Sequence, residues 1–127
     1  MKLKKFNASN SARKAIKQPS LRVHKNGCIT LNGALAMLLQ VDEESTICLL
    51  QDEEQPTEWY LYVSHDGFQI HKLPGTDAVK IYNGLVANEL LRSCKLYENS
   101  YQIIVSAEPQ KIEGMTLFAL LTVTARR

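Results

Sequence analysis

"KNGCITLNGALAMLL" at residues 25–39 and "VKIYNGLVANELL" at residues 79–91 follow one plan. Each passes from a β-branched stretch through Asn-Gly into a Leu- and Ala-rich segment. The first N–H groups of a helix lack partners, and an Asn side chain supplies an acceptor for them. Asn32 and Asn83 are therefore predicted to start two short helices, through Gln40 and through Lys95. In the first, Ala34, Leu35, Leu38 and Leu39 share a side, while Ala36 and Met37 leave little polar face, so burial almost all round is expected. In the second, Val86, Ala87, Leu90, Leu91 and Cys94 form an apolar stripe, with Asn88, Glu89, Arg92 and Lys95 outside it.

The flanking segments have strand patterns. "LRVHK" and "CITL" enclose Asn26-Gly27, which predicts a two-residue hairpin turn with both residues at positive φ. "STICLLQ" (45–51) and "EWYLYVS" (58–64) form the next pair, joined by the polar loop "DEEQPT". Alternation puts Trp59, Leu61 and Val63 on one face and Tyr60 and Tyr62 on the other. Asp66-Gly67 turns into "FQIHK", followed by the loop "LPGTD" and the strand "AVKIY". After the second helix come "SYQIIVSA", the loop "EPQKIEG" and "MTLFALLTVTA". The last strand is apolar on both faces, as a central strand is. The expected fold class is α+β: mainly antiparallel sheet or barrel with two short helices, in the order ββαββ-ββαββ. Residues 21–127 form one domain, with a pseudo-repeat over 21–64 and 66–125. Superposing the two Asn-Gly pairs matches Ala36 with Ala87 and Leu39 with Leu90. It also sets Ile29 on Lys80 and Thr30 on Ile81, so the preceding strands are out of phase.

Charge is distributed unevenly. The chain of 127 residues carries a net charge of +2. Residues 1–25 hold eight basic residues and no acid; the remainder holds all 13 acids against seven basic residues, a balance of −6. Residues 1–20 are rich in Lys, Ser, Asn and Ala, with little apolar surface to bury, and are expected to form a flexible basic arm. An arm of 20 residues has an r.m.s. reach of about 25 Å.

Residues 21–51, "LRVHKNGCITLNGALAMLLQVDEESTICLLQ", resemble the swapped-hairpin module of AbrB-like transition-state regulators. Val23, Gly27, Ile29, Leu31, Leu38, Leu39, Val41 and Ile47 fall on that module's strand, Gly turn, strand, short helix and strand pattern. Two tandem copies would look like the duplicated form of that family, a pseudo-dimer within one subunit. The resemblance implies DNA binding. Residues 45–95 show a second resemblance, to the strand-rich repeat of whirly- and PUR-type single-stranded nucleic-acid binders. It implies stacking by Tyr60, Tyr62 and Tyr82.

Other function classes find little in the sequence. Cys28, Cys48 and Cys94 are odd in number and widely spaced, which suits buried reduced thiols in a cytoplasmic protein. His24, His65 and His71 flank turns without the spacing of metal ligands. The acidic triplets 42–44 and 52–54 are held about 20 Å apart by a strand, too far to share one ion. Ser64-His65-Asp66 are consecutive on a strand, where a catalytic triad does not assemble. There is no nucleotide-binding glycine motif, and "MKLKKFNASN" has no apolar stretch behind it to act as a secretory signal. No enzyme activity, cofactor, metal or membrane partner is expected. The expected function is a non-enzymatic nucleic-acid-binding protein, its partner DNA or RNA. Lys4, Lys5, Arg13, Lys14 and Lys17 of the arm, with Arg22, His24 and Lys25 of the hairpin, contact phosphates. Tyr60 and Tyr62 are the stacking candidates. The alternative is an assembly protein, a homo-oligomer whose arm docks on acidic loops 42–44 and 52–54 of a neighbour.

Overall fold

The computed structural model describes residues 18–42 and 44–127. The basic arm as far as residue 17, with Lys4, Lys5, Arg13, Lys14 and Lys17, lies outside the described residues. Among the described residues, ten strands and two helices follow in order: β1 (Ser20–His24), β2 (Cys28–Leu31), α1 (Gly33–Leu39), β3 (Thr46–Gln51), β4 (Trp59–Ser64), β5 (Phe68–Gln69), β6 (His71–Lys72), β7 (Val79–Tyr82), α2 (Gly84–Ser93), β8 (Ser100–Val105), β9 (Gln110–Ile112) and β10 (Met115–Arg126). The fold is α+β. All strand pairs are antiparallel, in the order β5-β3-β4-β10-β8-β1-β2-β7-β6, with β9 added to β10. β5 and β6 flank a single residue, Ile70. One strand-like segment therefore reaches β3 on one side and β7 on the other, and the sheet curls into a nearly closed barrel.

The barrel forms because its strands alternate. Leu21 and Val23 of β1, Ile29 and Leu31 of β2, Val79 and Ile81 of β7, and Ile103 and Val105 of β8 all point into one core. Trp59 and Leu61 of β4 join them, as the alternation predicts, whereas Val63 is partly exposed. Burying each such side chain contributes about 1.5–3 kcal/mol. β2 and β7 pair with Ile29 opposite Ile81 and Thr30 opposite Lys80. The one-residue offset between the two Asn-Gly segments remains, with Ile29 three residues before Asn32 and Ile81 two before Asn83, and both isoleucines turn inward.

Both helices start where Asn predicts. Asn32 Oδ1 accepts from Leu35 N–H and Asn83 Oδ1 from Val86 N–H, each at 2.9 Å. Asn32 does more. Its Oδ1 also accepts from Ser20 N–H (3.1 Å), and its Nδ2 donates to Gln18 O (2.8 Å) and Ser20 Oγ (3.1 Å), tying α1 to the start of β1. α1 stops at Gln40, whose left-handed φ of 53° lets its N–H bond Ala36 O and Met37 O.

Four local expectations change. α1 is not buried all round: Leu35, Ala36 and Leu39 enter the core, but Met37 on the opposite side is 72% exposed. Seven residues make only two turns, so the helix packs through one side. The Asn26-Gly27 turn is a three-residue loop: Gly27 N–H bonds His24 O, and only Gly27 (φ 104°) takes positive φ. This matches a type I turn followed by a bulge glycine. The two-residue turn with both φ positive occurs instead at Glu113-Gly114 (φ 53° and 81°), where it makes the β9–β10 hairpin inside the stretch predicted to be a loop. Finally, the cysteines are free but half-buried rather than buried.

Candidate nucleic-acid interface

The charge asymmetry has a structural counterpart within the folded body. None of the 12 acids among the described residues lies in a strand; they occupy loops and turns, apart from Glu89 in α2. Cations do lie in strands, and residues directly opposite one another in a ladder project from the same face. Arg126 pairs with Gln102, Gln102 with Arg22, Arg22 with Thr30, Thr30 with Lys80, and Lys80 with His71. The neighbours of these residues along each strand, such as Leu21, Val23, Ile29 and Ile81, fill the core, so this row lies on the outside. It crosses β10, β8, β1, β2, β7 and β6 without an acid.

Hydrogen bonds hold the row in place. Arg22 Nη1 donates to Ser100 Oγ (3.2 Å), Arg126 Nη2 to Gln102 Oε1 (3.5 Å), and Gln102 Nε2 to Ser20 Oγ (3.1 Å). The ion pairs among the described residues are Arg92–Glu89 and Arg127–Glu98, so Arg22, Lys80 and Arg126 have no carboxylate partner there. Beside the row, Tyr82 stands opposite Cys28 and is 53% exposed. Lys80 Nζ lies over its ring, 5.2 Å from the centroid, and His71 meets it edge-on at 5.7 Å and 63°. Tyr82 raises the pKa of the Lys80 ammonium, first as a hydrogen-bond partner and then by charge.

Of the residues expected to bind, the structure brings three to this face. Arg22 and His24 project outward from β1. Lys25 is exposed in the adjoining turn, where its backbone N–H donates to Asn99 O (2.8 Å). Tyr60 and Tyr62 are elsewhere. Both sit on the outer surface of β4, which β10 and β8 separate from β1, about 14 Å along the sheet from Arg22. Burial, then Glu58 and Asp52, pushes the Tyr60 hydroxyl pKa up; a hydrogen bond with Cys48 does so for Tyr62. An acid-fringed pair of tyrosines is a poor place for phosphate. Lys80, His71 and Arg126 carry no binding signal in the sequence, because nothing there pairs β2 with β7 or β8 with β10. Among the described residues, no group of three or more His, Cys, Asp or Glu side chains is arranged to hold a metal ion. No helix there is long and apolar enough to cross a membrane.

No family model, curated protein or solved structure matches this chain. The site stands on its own chemistry.

Proposed function

We propose that this protein binds nucleic acid without catalysis, and that the outer row Arg126–Arg22–Lys80–His71 is the folded part of its phosphate-binding surface. The observation that carries this reading is the acid-free row across six strands, continuous with the hairpin that bears His24 and Lys25. Phosphate contacts depend on charge and reach rather than sequence, and each one displaces condensed counterions. The six basic residues of positions 1–17 add charge to the same end of the chain as β1.

The test is a filter-binding titration of the full chain against DNA and RNA as salt is varied. Binding should weaken steeply with salt, and Arg22→Gln with Lys80→Gln should lower affinity at low salt while leaving the fold intact. No retention of any nucleic acid by the full chain at about 50 mM salt, where such contacts are strong, would refute the proposal.

A second reading, self-association, draws support from Leu121 and Val123, exposed near the end of β10. In this reading the arm docks on the acidic loops of a neighbour. Sedimentation that gives a monomer at all concentrations, with and without residues 1–17, would exclude it.

A further inference from the structure

The row does not lie on a flat surface. It crosses six of the nine strands on the barrel's path, and the sheet curls until its two ends meet through residues 68–72. Five steps of about 4.8 Å make an arc of about 24 Å on a convex wall. A duplex is stiff on this scale, with a persistence length of about 50 nm. Against a narrow convex barrel it meets the surface along a tangent. It would touch the middle of the row and leave either Arg126 or His71 out of reach. A single strand has no such stiffness and can follow the curve.

A second observation points the same way. Tyr82 is exposed, although its ladder partner Cys28 and its chain neighbours Ile81 and Asn83 are buried or half-buried. Lys80 Nζ lies over its ring and His71 packs against it in a T-shaped pair, so the ring has two neighbours within the charged row. A duplex keeps its bases stacked on one another and offers none to such a ring. An unpaired base has a free face, and stacking on an aromatic side chain tolerates any base.

From these two observations we infer that the ligand is a single-stranded nucleic acid wrapped around the barrel across the strands. Its phosphates lie along Arg126, Arg22 and Lys80, and one base is stacked on Tyr82. The inference rests on the nucleic-acid reading above and adds strandedness, path and a base platform.

Fluorescence anisotropy on the full chain tests it, with labelled 20-nucleotide single strands of DNA and RNA and a duplex of the same sequence. The variants are Tyr82→Ala, Tyr82→Phe and the double variant Arg22→Gln/Lys80→Gln, with Tyr97→Ala as an exposed tyrosine outside the row. Single strands should bind at least tenfold more tightly than duplex. Tyr82→Ala should weaken single-strand binding about 5- to 160-fold, the range expected for loss of one base stack, and leave duplex binding unchanged. Tyr82→Phe and Tyr97→Ala should bind like the parent protein. The charge variant should reduce the slope of log K against log salt by about 1.4, at roughly 0.7 per single-strand phosphate contact. Tyr82→Ala should leave that slope alone. Equal or tighter duplex binding, or a Tyr82→Ala effect within twofold while the charge variant still weakens binding, overturns this inference and leaves the wider reading standing. No binding by any oligonucleotide removes both.

Discussion

Substituting Gly27 by Ala tests how the first hairpin is locked against the start of α2. Gly27 has φ 104°, outside the range an L side chain readily adopts, and its carbonyl accepts from Asn83 N–H (2.9 Å). A Cβ at this position would stand 3.0 Å from Gly84 N and 3.1 Å from Gly84 Cα. Two costs therefore add. Holding a non-glycine residue at positive φ costs about 1–2 kcal/mol. Forcing a backbone neighbour aside costs about 1–3 kcal/mol more, as other overpacked sites do. The expected loss is about 2–5 kcal/mol. Gly75 separates the two costs, because its φ is 76° and nothing lies within 4 Å of its would-be Cβ. Gly75→Ala should show the conformational cost alone, and any gain from a stiffer unfolded chain is common to both. Urea unfolding followed by the emission of Trp59, the chain's single tryptophan, measures both variants. If Gly27→Ala loses no more than Gly75→Ala, to within about 0.5 kcal/mol (the limit to which separate sites add), the close approach of Gly27 to Gly84 has no energetic weight.

The two capping asparagines should differ. Asn83→Ala removes one cap and should cost about 1 kcal/mol. Asn32→Ala removes four hydrogen bonds and should cost about 2–4 kcal/mol. Equal losses in thermal unfolding would show that the tie between α1 and β1 is unimportant. Trp59 Nε1 donates to Ser93 Oγ (2.9 Å), so Ser93→Ala strands an indole N–H and should cost about 1–3 kcal/mol. In a Trp59→Phe background that loss should shrink, and a double-mutant cycle by circular dichroism with no coupling would contradict the bond. The Asp42 carboxyl accepts from Glu44 N–H (2.9 Å) and from Ser45 Oγ (3.0 Å), which hold its pKa below the usual Asp value. A depressed folded-state pKa means stability that is present above the unfolded value and lost as pH falls through the folded one. Ser45→Ala should move the Asp42 midpoint upward in an NMR titration, and an unmoved midpoint would remove the Ser45 hydroxyl from the causes of the shift.

Local features were readable from the sequence where one residue type answers a local need. Asn32 and Asn83 announce the helices because an unpaired N–H wants a nearby acceptor. The alternation of Trp59 and Leu61 against Tyr60 and Tyr62 fixes the faces of β4. Pairing between distant segments was not readable. β1 lies between β2 and β8, and residues 68–72 lie between β7 and β3. Such ladders join residues up to about 80 positions apart, as in Ser20 opposite Ile104, through backbone groups that every residue shares. Half of the candidate site depends on them. Arg22 shows as basic in any listing of the chain, but only its register with Thr30, and that of Thr30 with Lys80, makes a row of the three. The same gap separates Tyr60 and Tyr62 from the hairpin cations: their face is legible in the sequence but their distance from β1 is not.

The short segment around Ile70 closes the barrel with few pairs: Thr46 with Gln69 and Ile47 with Phe68 on one side, His71 with Lys80 and Lys72 with Val79 on the other. Four rungs are a weak seal beside the six that join β3 to β4. Amides here should exchange with solvent before those of the long ladders, and breathing should begin here. The rung of His71 also belongs to the surface on which Tyr82 stands, so a molecule gripping that surface would act as a latch on the seam, and occupancy should register as slowed exchange at residues 68–72.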